Sequence, residues 1–69
     1  MQLSARNAIK GTVKVVEVGA VNTEVILEIA PGVEMVSIIT KESAEKLGIV
    51  VGQEVYAVVK SSDVMIAVE

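Results

Sequence analysis

The chain has 69 residues, a net charge of −3, and neither Cys nor His. Disulfides are therefore excluded, a zinc site would have to be built from carboxylates alone, and non-specific nucleic-acid binding lacks the many phosphate-neutralising cations it needs. Hydrophobic residues make up 52% of the sequence, yet Tyr56 is the one aromatic, which removes a stacking platform for single strands.

The chain starts with a short polar island, Ser4-Ala5-Arg6-Asn7, after Met1-Gln2-Leu3. This stretch lacks the apolar run of a signal peptide. No apolar run anywhere reaches the roughly 18 residues of a membrane span. The expectation is a cytoplasmic protein that meets neither a membrane nor nucleic acid.

A first strand is expected from about Ile9 to Val18, with Lys10, Lys14 and Glu17 among its valines. Gly11 inside it marks a bulge or a close backbone approach. Gly19-Ala20 breaks the pattern. A second strand covers about Val21 to Ala30, with Val21, Thr23, Val25, Leu27 and Ile29 on one face by period two. Pro31-Gly32 is a turn signal, because Pro presets its φ and Gly accepts a positive one. The third strand, about Val33 to Ile39, then forms an antiparallel hairpin with the second.

Thr40 to Leu47 changes character. Thr40 is placed to cap a helix of about two turns, and Gly48 to end it. Ile49-Val50-Val51-Gly52-Gln53 reads as a connector with apolar anchors. A fourth strand is expected at about Glu54 to Lys60, a tight turn at Ser61-Ser62-Asp63, and a fifth strand at Val64 to Val68. Asp63 is assigned to capping that turn. Five short antiparallel strands and one small helix before the fourth predict an all-β fold, a five-stranded OB-like Greek-key barrel in one domain, 1–69.

Below roughly 70–80 residues a single core seldom supplies more than about 3–5 kcal/mol. With no Cys or metal ligands to help, oligomerisation is the remaining support. Val15/Val16, Ile26/Leu27 and Ile38/Ile39 put apolar side chains on both faces of their strands. One face fills the barrel and the other is expected to meet a second subunit. An open barrel also leaves strand edges, which exchange or addition of an edge strand between subunits would cover.

Catalysis finds little to work with. Without Cys or His the usual nucleophile–base pairs cannot exist. Lys60 and Ser61 are adjacent in sequence, and neighbours in a strand point to opposite faces. Glu42 and Glu45 read as a solvated helix face. The polar islands are better suited to holding a small oxyanion. Arg6 offers a planar fork of donors, Ser4 and Asn7 add side-chain donors, and Lys60 supplies a point charge beside Ser61 and Ser62. Thr40 and Ser43 lie at the helix start, where free N–H groups and the dipole favour anions. Each cluster also fits an ordinary role: a frayed polar terminus, a helix cap, a surface turn.

Taken together, Ser4-Ala5-Arg6-Asn7, Lys10-Gly11, Ser37-Ile38-Ile39-Thr40, Ser43, Leu47-Gly48 and Val59-Lys60-Ser61-Ser62-Asp63-Val64-Met65-Ile66 resemble the molbindins. These are small Mop-type proteins made of one molybdate-binding, TOBE-like domain. The match runs over essentially the whole chain, in order and spacing. The resemblance implies an OB-like barrel that assembles as a homohexamer, a trimer of dimers. It implies molybdate or tungstate as bound ligand at subunit interfaces, for storage or homeostasis. Carried over by position, the oxyanion contacts fall on Ser4, Arg6, Thr40, Ser43, Lys60 and Ser61, with Asn7 a further motif member. A second type of site, near the three-fold axis, is also implied, without assigned residues. The competing readings are a structural or interaction barrel without ligand, a regulatory oxyanion-sensing subunit, and a nucleic-acid-binding OB domain.

Overall fold

The computed structural model describes residues 6–69. Its centre is the expected hairpin. Strands β2 (Asn22–Ala30) and β3 (Val33–Thr40) are antiparallel, and Pro31-Gly32 joins them with Gly32 at φ 75°. The period-two pattern of β2 decides which face is inside: Thr23, Val25 and Leu27 are buried and Ile29 is half-buried. Val21, assigned to the same face, lies just before the strand and is exposed.

Strand β1 (Asn7–Val18) pairs with β2 on one side and with β4 (Glu54–Val59) on the other, both antiparallel. The resulting order, β3-β2-β1-β4, is that of a Greek key, with the fourth strand returning beside the first. The sheet curls, so the inward faces of β2, β3 and β4 line one groove between its two edges. This is an all-β, OB-like architecture with one short helix.

Two irregularities shape β1. Val13 pairs with Leu27 and Val15 with Ile26, so Lys14 is an extra residue, a β-bulge. The bulge shifts the alternation by one, and Val13 and Val16 both pack on the core while Lys14 stays exposed. Gly11 is buried but is not the bulge. A Cβ there would lie 3.1 Å from Ile29 Cγ2 and 3.2 Å from the Glu28 carbonyl oxygen. Of the two roles expected for Gly11, close approach is the one it plays.

Helix α1 (Lys41–Leu47) has Thr40 as N-cap and ends at Gly48, which takes the left-handed conformation at φ 64°. Ala44 is its buried residue and seats it on β2 and β3. Of the connector after the helix, Ile49 packs on the core, whereas Val50 and Val51 are exposed. The connector is tied to β1 instead by backbone bonds: Gly52 N–H to the Val13 carbonyl at 2.8 Å, and Val13 N–H to the Gln53 carbonyl at 2.9 Å.

The fifth strand is not formed; the described residues contain four. β4 ends at Val59, Ser61–Asp63 is a 3-10 turn, and Val64–Val68 is unpaired. Ser61-Ser62-Asp63 contains neither the Gly nor the Asn that a tight two-residue hairpin favours. The turn is held by its backbone, Asp63 N–H donating to the Lys60 carbonyl at 2.9 Å. Among the described residues the Asp63 carboxylate caps nothing, contrary to the role assigned to it.

Candidate functional site

The β1–β4 ladder decides where the polar islands lie. Its last pair is Asn7 with Val59. Arg6 and Lys60 follow immediately, at the same end of two adjacent strands, so residues from both ends of the sequence share one corner of the sheet. Both are exposed. Asn7 is half-buried and holds the end of the ladder. Like charges directly opposite on paired strands repel. The ion pairs among the described residues are Lys10–Glu54, Lys14–Glu28 and Lys46–Glu42. Within that set, no carboxylate partners Arg6 or Lys60.

Lys60 is extended, at φ −63° and ψ 139°, and starts the 3-10 turn. The first N–H groups of such a turn have no acceptor within it. Ser61 and Ser62 therefore bring backbone donors as well as hydroxyls to the corner, and both are exposed. The corner thus holds a guanidinium, an ammonium, hydroxyls and turn amides. Ser4, the remaining member of the first island, lies outside the described residues.

The helix start is organised differently from expectation. Thr40 Oγ1 accepts from the Ser43 N–H at 3.0 Å and donates to Ser43 Oγ at 2.8 Å. The Lys41 N–H donates to the Val21 carbonyl at 2.8 Å. Two first-turn amides and the Thr40 hydroxyl are therefore already committed. What remains is the Glu42 N–H and the Ser43 hydroxyl proton, the Ser43 oxygen already accepting from Thr40. Glu42 in the same turn adds a negative charge, so the free donors of this cluster reduce to one amide and one hydroxyl.

Thr40 and Ser43 are also far from the corner. Thr40 pairs with Asn22, beside the Gly19–Asn22 turn at the Val18 end of β1. Arg6 and Lys60 sit at the Asn7 end. β1 has 12 residues, roughly 35–40 Å of strand contour at ~3.3 Å per residue. One chain therefore unites two of the three clusters and holds the third at its opposite end.

A second feature borders the corner. The groove between β3 and β4 has a volume of about 550 Å³ and is mostly apolar, with Leu27, Met35, Ile39, Val55 and Ala57 among its lining. Both bounding strands are sheet edges. The sequence pointed to open edges but not to a groove of this kind. Val64-Met65-Ile66 is apolar without a polar face, and Val64, Met65, Ile66 and Val68 are exposed.

Among the described residues, no helix is long and apolar enough to cross a membrane. The model of the TOBE domain matches residues 3–66. The chain is 53% identical over 66 residues to "Molybdenum-pterin-binding protein 3" of Clostridium pasteurianum, covering 96% of this chain and 97% of that protein. The structure of MopII from Clostridium pasteurianum superimposes with a TM-score of 0.90 at 51% identity, covering 97% of this chain and 100% of that one. The cytoplasmic molybdate-binding protein ModG, in a crystal form with molybdate bound, gives a TM-score of 0.87 at 48% identity over 94% of this chain and 46% of its own. With the Greek-key sheet, the capped helix and the matched length in hand, the chain belongs to the TOBE-domain family and, within it, to the Mop-type proteins, the molbindins.

Proposed function

We propose that this protein binds molybdate, and tungstate by the same chemistry, in a donor-rich cradle completed between copies of the chain, and acts as a cytoplasmic store for the anion. The observation that supports this reading is the β1–β4 register, whose last pair, Asn7 with Val59, leaves Arg6 and Lys60 to follow at the same end of two adjacent strands. Relatives that bear molybdenum- or molybdate-binding names over nearly the whole chain support it. Arg6, Lys60 and Ser61, with Ser4 and Asn7 from the first island, form one half of the cradle. Ser43, positioned by Thr40, supplies the other half from a second copy, because the two halves lie at opposite ends of one chain.

The chemistry is selective by proton count. Molybdate and tungstate are fully deprotonated dianions near neutral pH. A site of N–H and O–H donors suits them. Phosphate carries a proton there and leaves it without an acceptor, at a cost of about 1–3 kcal/mol once buried. Sulfate has no proton to betray it and is rejected by its shorter bonds, which leave some donors out of reach of a rigid cradle.

Self-association has its own support. Val64, Met65, Ile66 and Val68 are exposed, and β3 and β4 are unpaired edges. Addition of Val64–Val68 from a second copy along these edges would cover both at once. The hexamer expected from the resemblance is the assembly we assign. Calorimetry with molybdate, tungstate, sulfate and phosphate tests the reading. Molybdate and tungstate should bind, with sulfate and phosphate at least tenfold weaker, and Arg6→Ala or Lys60→Ala should weaken molybdate at least tenfold. Equal affinity for sulfate removes the selectivity argument. Unchanged affinity in both variants removes the corner from the site. No anion binding at all leaves a structural barrel.

A further inference from the structure

Val64, Met65, Ile66 and Val68 are 48%, 93%, 85% and 92% exposed, so this segment touches little of its own fold. Among the described residues, the last backbone bond that holds it is Val64 N–H to the Ser61 carbonyl, at 3.4 Å. The apolar groove between β3 and β4 runs alongside a strand of 6 residues, a length that five extended residues nearly match. A 3-10 turn separates the segment from β4, with extended backbone on either side. The segment does not line its own groove, and the occupant we assign to that groove is the same segment from a second copy.

The hinge of this segment is the oxyanion corner. Lys60 caps the 3-10 turn without a side-chain bond, and Ser61 is its first residue. Two backbone bonds, of 2.9 and 3.4 Å, hold the turn, and every residue from Lys60 to Val64 is exposed. Little else fixes its shape. An anion that accepts from the Lys60 ammonium, the Ser61 hydroxyl and the turn amides would immobilise these same residues.

We propose that the bound oxyanion is a latch on this hinge: by fixing the Ser61–Asp63 turn it fixes the direction in which Val64–Val68 leaves β4, and so controls exchange of that segment between copies. The proposal rests on the oxyanion reading above and adds regulation to it. Occupied protein holds its partners; empty protein trades them. Because the latch acts through the hinge, it is separable from simple bridging of two copies by a shared ligand.

The test mixes light and isotopically heavy protein and follows subunit exchange by native mass spectrometry, with sodium molybdate or with sodium chloride at equal ionic strength. Molybdate should slow exchange at least tenfold. Calorimetry on the same protein is run in parallel. A variant with Gly-Ser inserted between Asp63 and Val64 should still bind molybdate but exchange at one rate with and without it. Amide hydrogen exchange at Asp63 and Val64 of the unmodified chain gives a reading independent of that variant, and should slow with molybdate. Molybdate binding without change in either exchange rate overturns the latch and leaves the oxyanion reading standing. Slowing that persists in the insertion variant also overturns it, in favour of bridging. Absence of molybdate binding overturns both.

Discussion

Replacing Thr23 by Val should stabilise the fold. Thr23 is on the inward face of β2, paired with Val18 on one side and Ile39 on the other, and is 0% exposed. Its hydroxyl has no hydrogen-bond partner among the described residues. A buried hydroxyl without a partner costs about 1–3 kcal/mol. Valine keeps the branched shape and suits a strand equally well. Thr23→Val should therefore gain about 1–2 kcal/mol, the lower part of that range because some of the penalty relaxes. For a domain of this size each kcal/mol moves the melting midpoint by roughly 4–8 °C. Thr23→Ser is the control: it keeps the hydroxyl and loses a methyl, at a cost of about 1 kcal/mol. Urea and thermal unfolding followed by circular dichroism would measure both, at one protein concentration because assembly contributes to stability. If Thr23→Val proves the less stable of the two, the hydroxyl has a partner in the assembled protein and the reasoning is wrong.

Gly11→Ala should destabilise by about 1–2 kcal/mol, since one of the two close contacts is backbone and cannot rotate away. A double-mutant cycle with Ile29→Ala checks it, because removing Ile29 Cγ2 should recover part of the loss. Thr40→Ala should cost about 1 kcal/mol through the lost cap while Thr40→Ser stays near the original; urea titration separates them. Ile66→Asp should leave folding intact but weaken self-association, because Ile66 is exposed within one chain. Sedimentation velocity across a dilution series would show it, and an unchanged assembly would remove Val64–Val68 from the interface.

The β2–β3 hairpin and the helix were legible because their signals are local. Alternating Val25, Leu27 and Ile29, a Pro31-Gly32 turn, and Thr40 and Gly48 at the two helix ends each act within a few residues. The Lys14 bulge was not legible, because it answers to the partner strand rather than to its own neighbours. Val64–Val68 looked like a strand because its residues suit one; nothing in its composition says whether its partner belongs to the same chain. The chemistry of Arg6 and Lys60 was readable from residue type. Their adjacency was not, since it follows from the pairing of Gly11 with Val55 and of every pair between there and Asn7. That the Lys41 N–H is taken by the Val21 carbonyl was not legible, because Val21 lies in the turn before β2, far from the helix in sequence.

The pairing of Asn7 with Val59 joins positions far apart in sequence. Closing so long a loop is entropically harder than closing the Pro31-Gly32 hairpin, and such distant pairings are slow steps in β topologies. On a chain emerging from the ribosome, the partner of Asn7 is made long after Asn7 itself. A ligand bound at the corner proposed above would therefore select molecules in which β1 and β4 have already paired, which would make occupancy a read-out of folding.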